Sequence, residues 1–253
     1  LLGTVFNIVM MVRCGLLSAR SLAPWRWVRL ALPYLLRVAW PAGLMQLVWH
    51  SAYMVLYAIT ASLPHGSVIA MAGMSAGIRI EALLFLPGIA FNFTASILAG
   101  HYLGQGRKDM AKHMGYRIMA VGVAAISIIS ALLWLVIEPV IAFVAPDPEV
   151  QAEAIRYLAW NMAATPPLLA AMILGGAFVG AGATMYQAVI FGSAAWLVRV
   201  PLAYLLGHVV LQSAQGVWMA MFVSVLVQCA TMLYFYHCRD WYRFTLRKSR
   251  RTA

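Results

Sequence analysis

Residues 77–88 read GIRIEALLFLPG, an arginine and a glutamate inside a run otherwise as oily as a lipid tail, with a proline and a glycine closing it. The run sits within a longer apolar stretch, 69–102. Of 253 residues, 64% are hydrophobic and 10% charged, and the mean hydropathy is +0.84, against roughly half apolar and a quarter charged in soluble domains. A soluble fold of that composition lacks the polar surface to cover itself. A chain that crosses lipid repeatedly needs about 20 apolar residues per crossing, so the composition is that of an integral membrane protein.

Apolar spans fall at 1–12 (partial), 38–60, 69–102, 118–143, 153–180, 186–209 and 216–237, separated by turn-forming segments such as SLPHGS (62–67), LGQGRKD (103–109), APDPE (145–149), GAGAT (180–184) and QSAQG (212–216). Barrel strands would be about ten residues long with alternating polarity. These spans are longer and apolar all round, which predicts an all-α polytopic helical bundle. The opening residues LLGTVFNIVMMV carry no initiating Met and no charged leader region, so they read as the end of a preceding transmembrane helix. The expectation is therefore the C-terminal portion of a longer protein.

Charge orients the bundle. Arg13, Arg20, Arg26, Arg29 and Arg37 lie in the first connection, Arg107, Lys108, Lys112 and Arg117 in the third, and six more cations in the tail, together 15 of the 18 Lys and Arg. If the spans alternate, all fall on one side. The other side carries His65, Asp147, Glu149, Glu153 and Arg156. The positive-inside rule makes the cationic side, and the C-terminus, cytoplasmic in a plasma or inner membrane. The same charges explain the pI near 10 without a nucleic-acid partner. Residues 24–37, PWRWVRLALPYLLR, read as an interfacial helix, and Trp241 and Tyr242 as part of an aromatic belt. Cys14, Cys229 and Cys238 are too few and too scattered for a disulfide framework or metal cluster.

The stretch 69–102 would run about 51 Å as a helix, against a hydrocarbon core of about 30 Å. It must tilt, kink or project, and Pro87 supplies a kink site. Gly73, Gly77, Glu81, Gly88, Asn92 and Ser96 share one helical face. A stripe of small and polar residues faces protein or a watery cavity, because a lipid-facing carboxylate costs about 2.5 kcal/mol or more near the helix centre. Two readings stay open. Glu81 either pairs with an arginine of a neighbouring helix, Arg199 or Arg156, in a packing seam, or lines a pathway and exchanges a proton. Arg79, two residues away, points elsewhere. Asn161, Thr165, Met172, Gly176 and Gly180 form a second stripe, interrupted by Pro166 and Pro167. That pattern suits either close helix packing or a transport site. Trp49, Phe85, Phe91, Phe93, Trp196 and fifteen methionines would suit a greasy, adaptable surface.

LPGIAFNFTASILAGHYLGQGRKDMA (86–111) resembles a stretch of multidrug and toxic compound extrusion (MATE) transporters through Gly100, His101, Leu103, Gly104, Gln105, Gly106, Arg107 and Ala111. FVGAGAT (178–184) is similar to the family's Leu-Arg-Gly-Ala-Gly-Asp-Thr turn, RVPLAYLL (199–206), with Arg199 and Pro201, to its Arg-Ile-Pro-Leu segment, and GVWMA (216–220) to a helix start. The resemblance covers about 38–237. It implies that 1–12 end a preceding helix, 13–37 form a cytoplasmic inter-lobe linker, 38–237 are one six-helix lobe of a two-lobe, twelve-helix antiporter, and 238–253 are a basic cytoplasmic tail. It further implies export of organic solutes such as drugs, dyes and, within the same range, flavins, by alternating access, with the absent N-terminal lobe as partner.

Here the family's turn Asp is Ala183 and its turn Arg is Val179. Where sodium-coupled members carry acids, this chain offers Gln46, His50, Asn161 and Thr165. The expected coupling ion is therefore a proton rather than sodium, with no bound cofactor. Glu81, Asn92, Arg79, His50, Gln46 and Asn161 are the candidate pathway residues. Pro87, Gly100, Gly104, Gly106, Gly180, Gly182, Arg199 and Pro201 are candidate structural positions, the glycines for tight reversals and close helix approach. The charges of Arg79, Glu81 and Arg199 sum to one positive, which tolerates an anionic solute. A lipid-linked oligosaccharide flippase of similar architecture is the alternative. GMSAG (73–77) matches a serine-hydrolase pattern, but Ser75 sits in a helical run without the required elbow. An enzyme is not expected.

Overall fold

The structure is a computed structural model and describes Met10, Arg13 and residues 25–241; between 25 and 42 the described side chains are those of Arg29, Leu32 and Trp40. Among the described residues every regular element is helical. The helices are α1 (Trp25–Ala61), α2 (Ser67–Gly104), α3 (Lys108–Leu135), α4 (Ile137–Val144), α5 (Pro148–Gly180), α6 (Thr184–Ser193), α7 (Val200–Tyr204) and α8 (Ala214–Cys238). Six-residue π-helical stretches, Ala194–Arg199 and Leu205–Val210, flank α7. Six segments are long and apolar enough to cross a membrane: Gly43–Ala61, α2, α3, α5, Thr184–Val210 and α8. The protein is an all-α, multi-pass membrane protein.

Chain compactness gives two units, Leu1–Gly43 and Leu44–Ala253. In the first, Arg29, Leu32 and Trp40 are exposed on α1. α1 covers the stretch 25–37 read as interfacial, and its apolar, membrane-length segment is Gly43–Ala61. Most of 1–24 and all of 242–253, with Cys14, Tyr242 and most of the expected basic tail, lie outside the described residues.

The second unit is built on α2 and α5, its most extensive helix pair. They run parallel with an offset of about 80 residues: Gly73 abuts Glu153 and Ala154, Gly77 abuts Tyr157, Gly88 abuts Leu169, Asn92 abuts Gly176, and Gly100 meets Gly180. One apolar cluster, including Leu56, Met74, Ile80, Ile141, Leu158 and Trp218, fills the Gly66 end. A second, including Leu103, Ala111, Leu174, Phe178, Tyr236 and Trp241, fills the Gly106 end. Trp241 is therefore not a belt residue. It is buried, stacked on Tyr236 at 5.0 Å, with its indole N–H on the Tyr236 carbonyl.

Helix ends follow local chemistry. Asp147 caps α5, accepting from the Glu149 N–H at 2.9 Å, with Pro148 in the first turn. α2 and α5 end in the same way. Gly106 (φ 78°) and Gly182 (φ 77°) adopt left-handed backbone, and the next N–H reaches back five residues, Arg107 to Tyr102 (2.9 Å) and Ala183 to Phe178 (2.8 Å). Glycine relieves the Cβ clash of that conformation. The expected single span 118–143 is instead broken at Val136. Pro139 has no N–H for the Leu135 carbonyl, so α3 stops there and α4 restarts with Pro139 in its first turn. α2 and α5 nevertheless continue as helix through Pro87 and through Pro166–Pro167.

Candidate functional site

α1 presents Gln46, Trp49, His50, Tyr53 and Tyr57 at three- and four-residue intervals, one face of a helix. That face closes a cavity of about 570 Å³ against Ile78, Glu81, Phe85 and Ile89 of α2, Leu168 and Met172 of α5, and Gln187 and Phe191 of α6. The walls are chiefly aromatic and aliphatic. Trp49 packs on Tyr53 and Phe191 with centroids 5.4 and 6.0 Å apart. Glu81 is the one acid among the lining residues, and no Lys or Arg joins it.

Glu81 is 6% exposed and accepts a 2.9 Å hydrogen bond from the Tyr157 hydroxyl. The small Gly77, one turn back on the same face, leaves room for the Tyr157 ring. That ring stands edge-on to Trp218 at 4.9 Å, and the Trp218 indole N–H donates to Glu153 at 3.0 Å. Glu153 in turn pairs with Arg156 at 3.2 Å. The packing-seam reading required an arginine for Glu81. Arg156 is committed to Glu153, and among the described residues no cation lies within ion-pair distance of Glu81. Its fixed partner is a phenol, which leaves the rest of its hydrogen-bonding capacity to the cavity.

His50 donates from Nδ1 to the Gln46 carbonyl at 2.8 Å, which leaves Nε2 as the open ring position. Gln46, His50 and Glu81 are thus brought together. Three other candidates are not. Asn92 donates to the Met172 carbonyl at 2.6 Å and ties α2 to α5. Asn161 donates to the Tyr157 carbonyl at 3.0 Å and accepts from Thr165 at 2.9 Å, within its own helix. Arg79 is exposed on α2 away from the cavity. Of the proposed greasy residues, Trp49 and Phe85 line the cavity, Phe93 is exposed, and Trp196 donates to the Val48 carbonyl.

Arg199 is 2% exposed and lies behind the aromatic wall. Its Nε donates to Ser224 at 2.9 Å, and its guanidinium stacks over Trp49 at 4.9 Å and Tyr53 at 5.6 Å. The charge sum of Arg79, Glu81 and Arg199 therefore does not describe the lining. Pro201 lies in the first turn of α7, between the two π-helical stretches. Among the motif glycines, Gly100 and Gly180 serve close approach, Gly106 and Gly182 the reversals, and Gly104 has open space around it. Ser75 lies mid-helix with its hydroxyl 3.4 Å from that of Tyr57.

Helical spacing placed Glu81 on an inward face and the family resemblance singled out Gln46 and His50, but neither reached Tyr157, Tyr53, Gln187 or Phe191. Tyr157 was findable. It stands 76 positions after Glu81, near the offset that matches the two small-residue stripes.

The MatE family profile matches residues 41–205, more than half of the chain. The chain is 27% identical to Protein DETOXIFICATION 36 of Arabidopsis thaliana over 205 residues, 80% of this chain and 40% of that protein. It is 23% identical to a probable multidrug resistance protein NorM of Thermotoga maritima over 231 residues, 88% of this chain and 47% of that one. A probable NorM of Pasteurella multocida is 30% identical over 194 residues, covering 70% and 39%. The chain thus spans less than half the length of the curated relatives it matches. A solved structure, the inward-facing conformation of a multidrug resistance MATE family transporter of the MOP superfamily, superposes with a TM-score of 0.69 over 87% of this chain and 49% of that one. Its sequence identity is 17%, so the match speaks for the fold.

Proposed function

The chain belongs to the MatE family, and from that premise we propose that it forms one six-helix lobe of a secondary active transporter that exports organic solutes by proton-coupled antiport. The observation that carries this reading is the cavity. It is large enough for a drug-sized solute, mainly apolar, and furnished with one buried carboxylate that has no cation within ion-pair distance among the described residues. Aromatic rings and Met45 and Met172 adapt to varied shapes. A lining whose one formal charge is Glu81 favours cationic and neutral solutes, drugs and dyes, over anionic flavin nucleotides.

Glu81 is the coupling group. Protonated, it presents a neutral wall to the cavity; ionised, it attracts a cationic solute, so proton and solute compete for one site. Tyr157 donates to it in either state and holds the carboxyl in place. His50 and Gln46 supply neighbouring polar contacts to the solute. A single carboxylate among neutral donors suits a proton better than a sodium ion, which prefers several oxygen ligands. Alternating access then requires the second lobe of the full-length transporter, and this lobe alone does not transport. The bundle sits in the plasma or inner membrane with the Arg107–Lys112 turn and the C-terminus cytoplasmic, supported by the grouping of cations on that side.

The test uses the full-length protein in everted vesicles, following acid-driven accumulation of a fluorescent cation beside a flavin nucleotide, for wild type and Glu81→Gln. Cation uptake by the wild type and its loss in a normally inserted variant support the reading. Unchanged uptake in the variant removes Glu81 from coupling.

A further inference from the structure

Away from the cavity, α3 and α5 enclose a groove of about 510 Å³ lined by Ser127, Ser130, Trp134, Met162, Ala163 and Pro166, among others. Its chemistry is unusual for the flank of a membrane bundle. Hydroxyls in transmembrane helices commonly return to the carbonyl four residues back, and buried Thr60 and Thr165 as well as the more exposed Thr94 and Thr231 do so here, at 2.7–2.9 Å. Ser130 is 7% exposed, lines the groove and makes no hydrogen bond among the described residues. Ser127, one turn away on the same face, likewise has none, nor does the Trp134 indole N–H.

The facing wall has the complementary shortage. Pro166 and Pro167 lack the N–H groups that would bond the carbonyls of Met162 and Ala163, and both residues line the groove. One wall therefore offers unused donors and the other offers two carbonyls that lack their usual α-helical donor. In hydrocarbon, unsatisfied polar groups of this kind cost free energy unless something in the membrane meets them.

We propose that this groove is a binding site for a membrane phospholipid, with an acyl chain along the apolar floor and an ester carbonyl accepting from Ser130 and Ser127. Depth supports the choice of an ester. α3 ends at Leu135, so Ser130 lies about 7–8 Å below the helix end at 1.5 Å per residue. Trp134 stands above it, as interfacial tryptophans do. Acyl methylenes alone would leave every polar group of the groove unmet. An ester with the water it carries provides an acceptor for the serines and a donor for the Met162 and Ala163 carbonyls. The site is separate from the solute cavity and rests on the membrane-spanning assignment, not on the transport reading.

The experiment places the full-length protein in nanodiscs containing a trace of phospholipid with a photoreactive acyl chain, in either diester form or the diether form that lacks ester carbonyls. Labelled peptides are mapped. The expected result is labelling concentrated in 127–135 and 159–166, roughly three- to tenfold greater for the diester, in line with one or two hydrogen bonds. Ser127→Ala/Ser130→Ala removes the diester preference while retaining labelling. Ala163→Phe, which fills the groove, removes labelling there for both lipids. A wild-type diester-to-diether ratio of one, or labelling spread evenly over the exposed helix faces, overturns the proposal.

Discussion

Along the α2–α5 seam, the turns around Gly176 and Gly180 and the turn around Gly77 and Glu81 are built by different means. Toward the Gly106 end the backbones touch. A Cβ on Gly176 would meet the Asn92 carbonyl, one on Gly180 would meet that of Ser96, and one on Gly100 would come within 3.1 Å of the Gly180 carbonyl. Toward the Gly66 end Gly73 still meets the α5 backbone, a Cβ there coming within 3.0–3.1 Å of Ala154 and Glu153 backbone atoms, but one turn further on the helices are held through side chains, Tyr157 over Gly77 and onto Glu81. The cavity opens beside the second arrangement. Backbone contact leaves no space to exploit, whereas a side-chain spacer leaves a carboxylate on a cavity wall. The first end is suited to sealing, the second to binding.

If that contrast is correct, the largest effect of substitution falls at the backbone seam. Gly180→Leu drives a side chain into the Ser96 backbone, which cannot give way, and is expected to cost about 3 kcal/mol or more. Size-exclusion profiles and thermal unfolding in detergent should show little folded protein. At the binding end, Tyr157→Phe deletes one hydroxyl and strips Glu81 of its partner, for about 1–3 kcal/mol. The protein should still fold, with a lowered Tm and altered transport. Arg199→Lys keeps the charge but loses the planar stacking on Trp49 and Tyr53, an expected loss of about 0.5–2 kcal/mol with weakened binding of aromatic solutes. The smallest contrast lies within one turn. Gly106→Ala should cost about 1 kcal/mol through its positive φ. Gly104→Ala, in open space at the last helical residue, should leave Tm nearly unchanged. Equal effects at Gly104 and Gly106 would undo the assignment of these turns.

Much of the seam was legible in the sequence because it follows a period. The face through Gly73, Gly77, Glu81, Gly88, Asn92 and Ser96 is the face that meets α5, and Met172, Gly176 and Gly180 of the second stripe meet it from the other side. The paired Gly turns at 104–106 and 180–182 were equally readable, although Gly104 proved unconstrained. Hydropathy placed the spans 38–60, 69–102, 153–180, 186–209 and 216–237 to within five residues, but it started the third crossing ten residues late and a window average could not see that Pro139 ends one helix and starts another. What escaped was pairing between distant positions. Nothing in local spacing says that the partner of Glu81 is a tyrosine rather than Arg199 or Arg156, or that Arg199 spends its charge on two aromatic faces. Nor does charge counting reveal that Arg79 lies outside the cavity, so that Glu81 is the one charged residue among those lining it.

The central claim is that Glu81 exchanges a proton for solute, and proton release on binding tests it most directly. Purified full-length protein in weakly buffered detergent is mixed with a permanently charged cationic dye while pH is recorded. The account predicts proton release that saturates with dye binding in the wild type and is lost in Glu81→Gln, even at dye concentrations raised to offset the variant's weaker binding. Undiminished release from Glu81→Gln would contradict it.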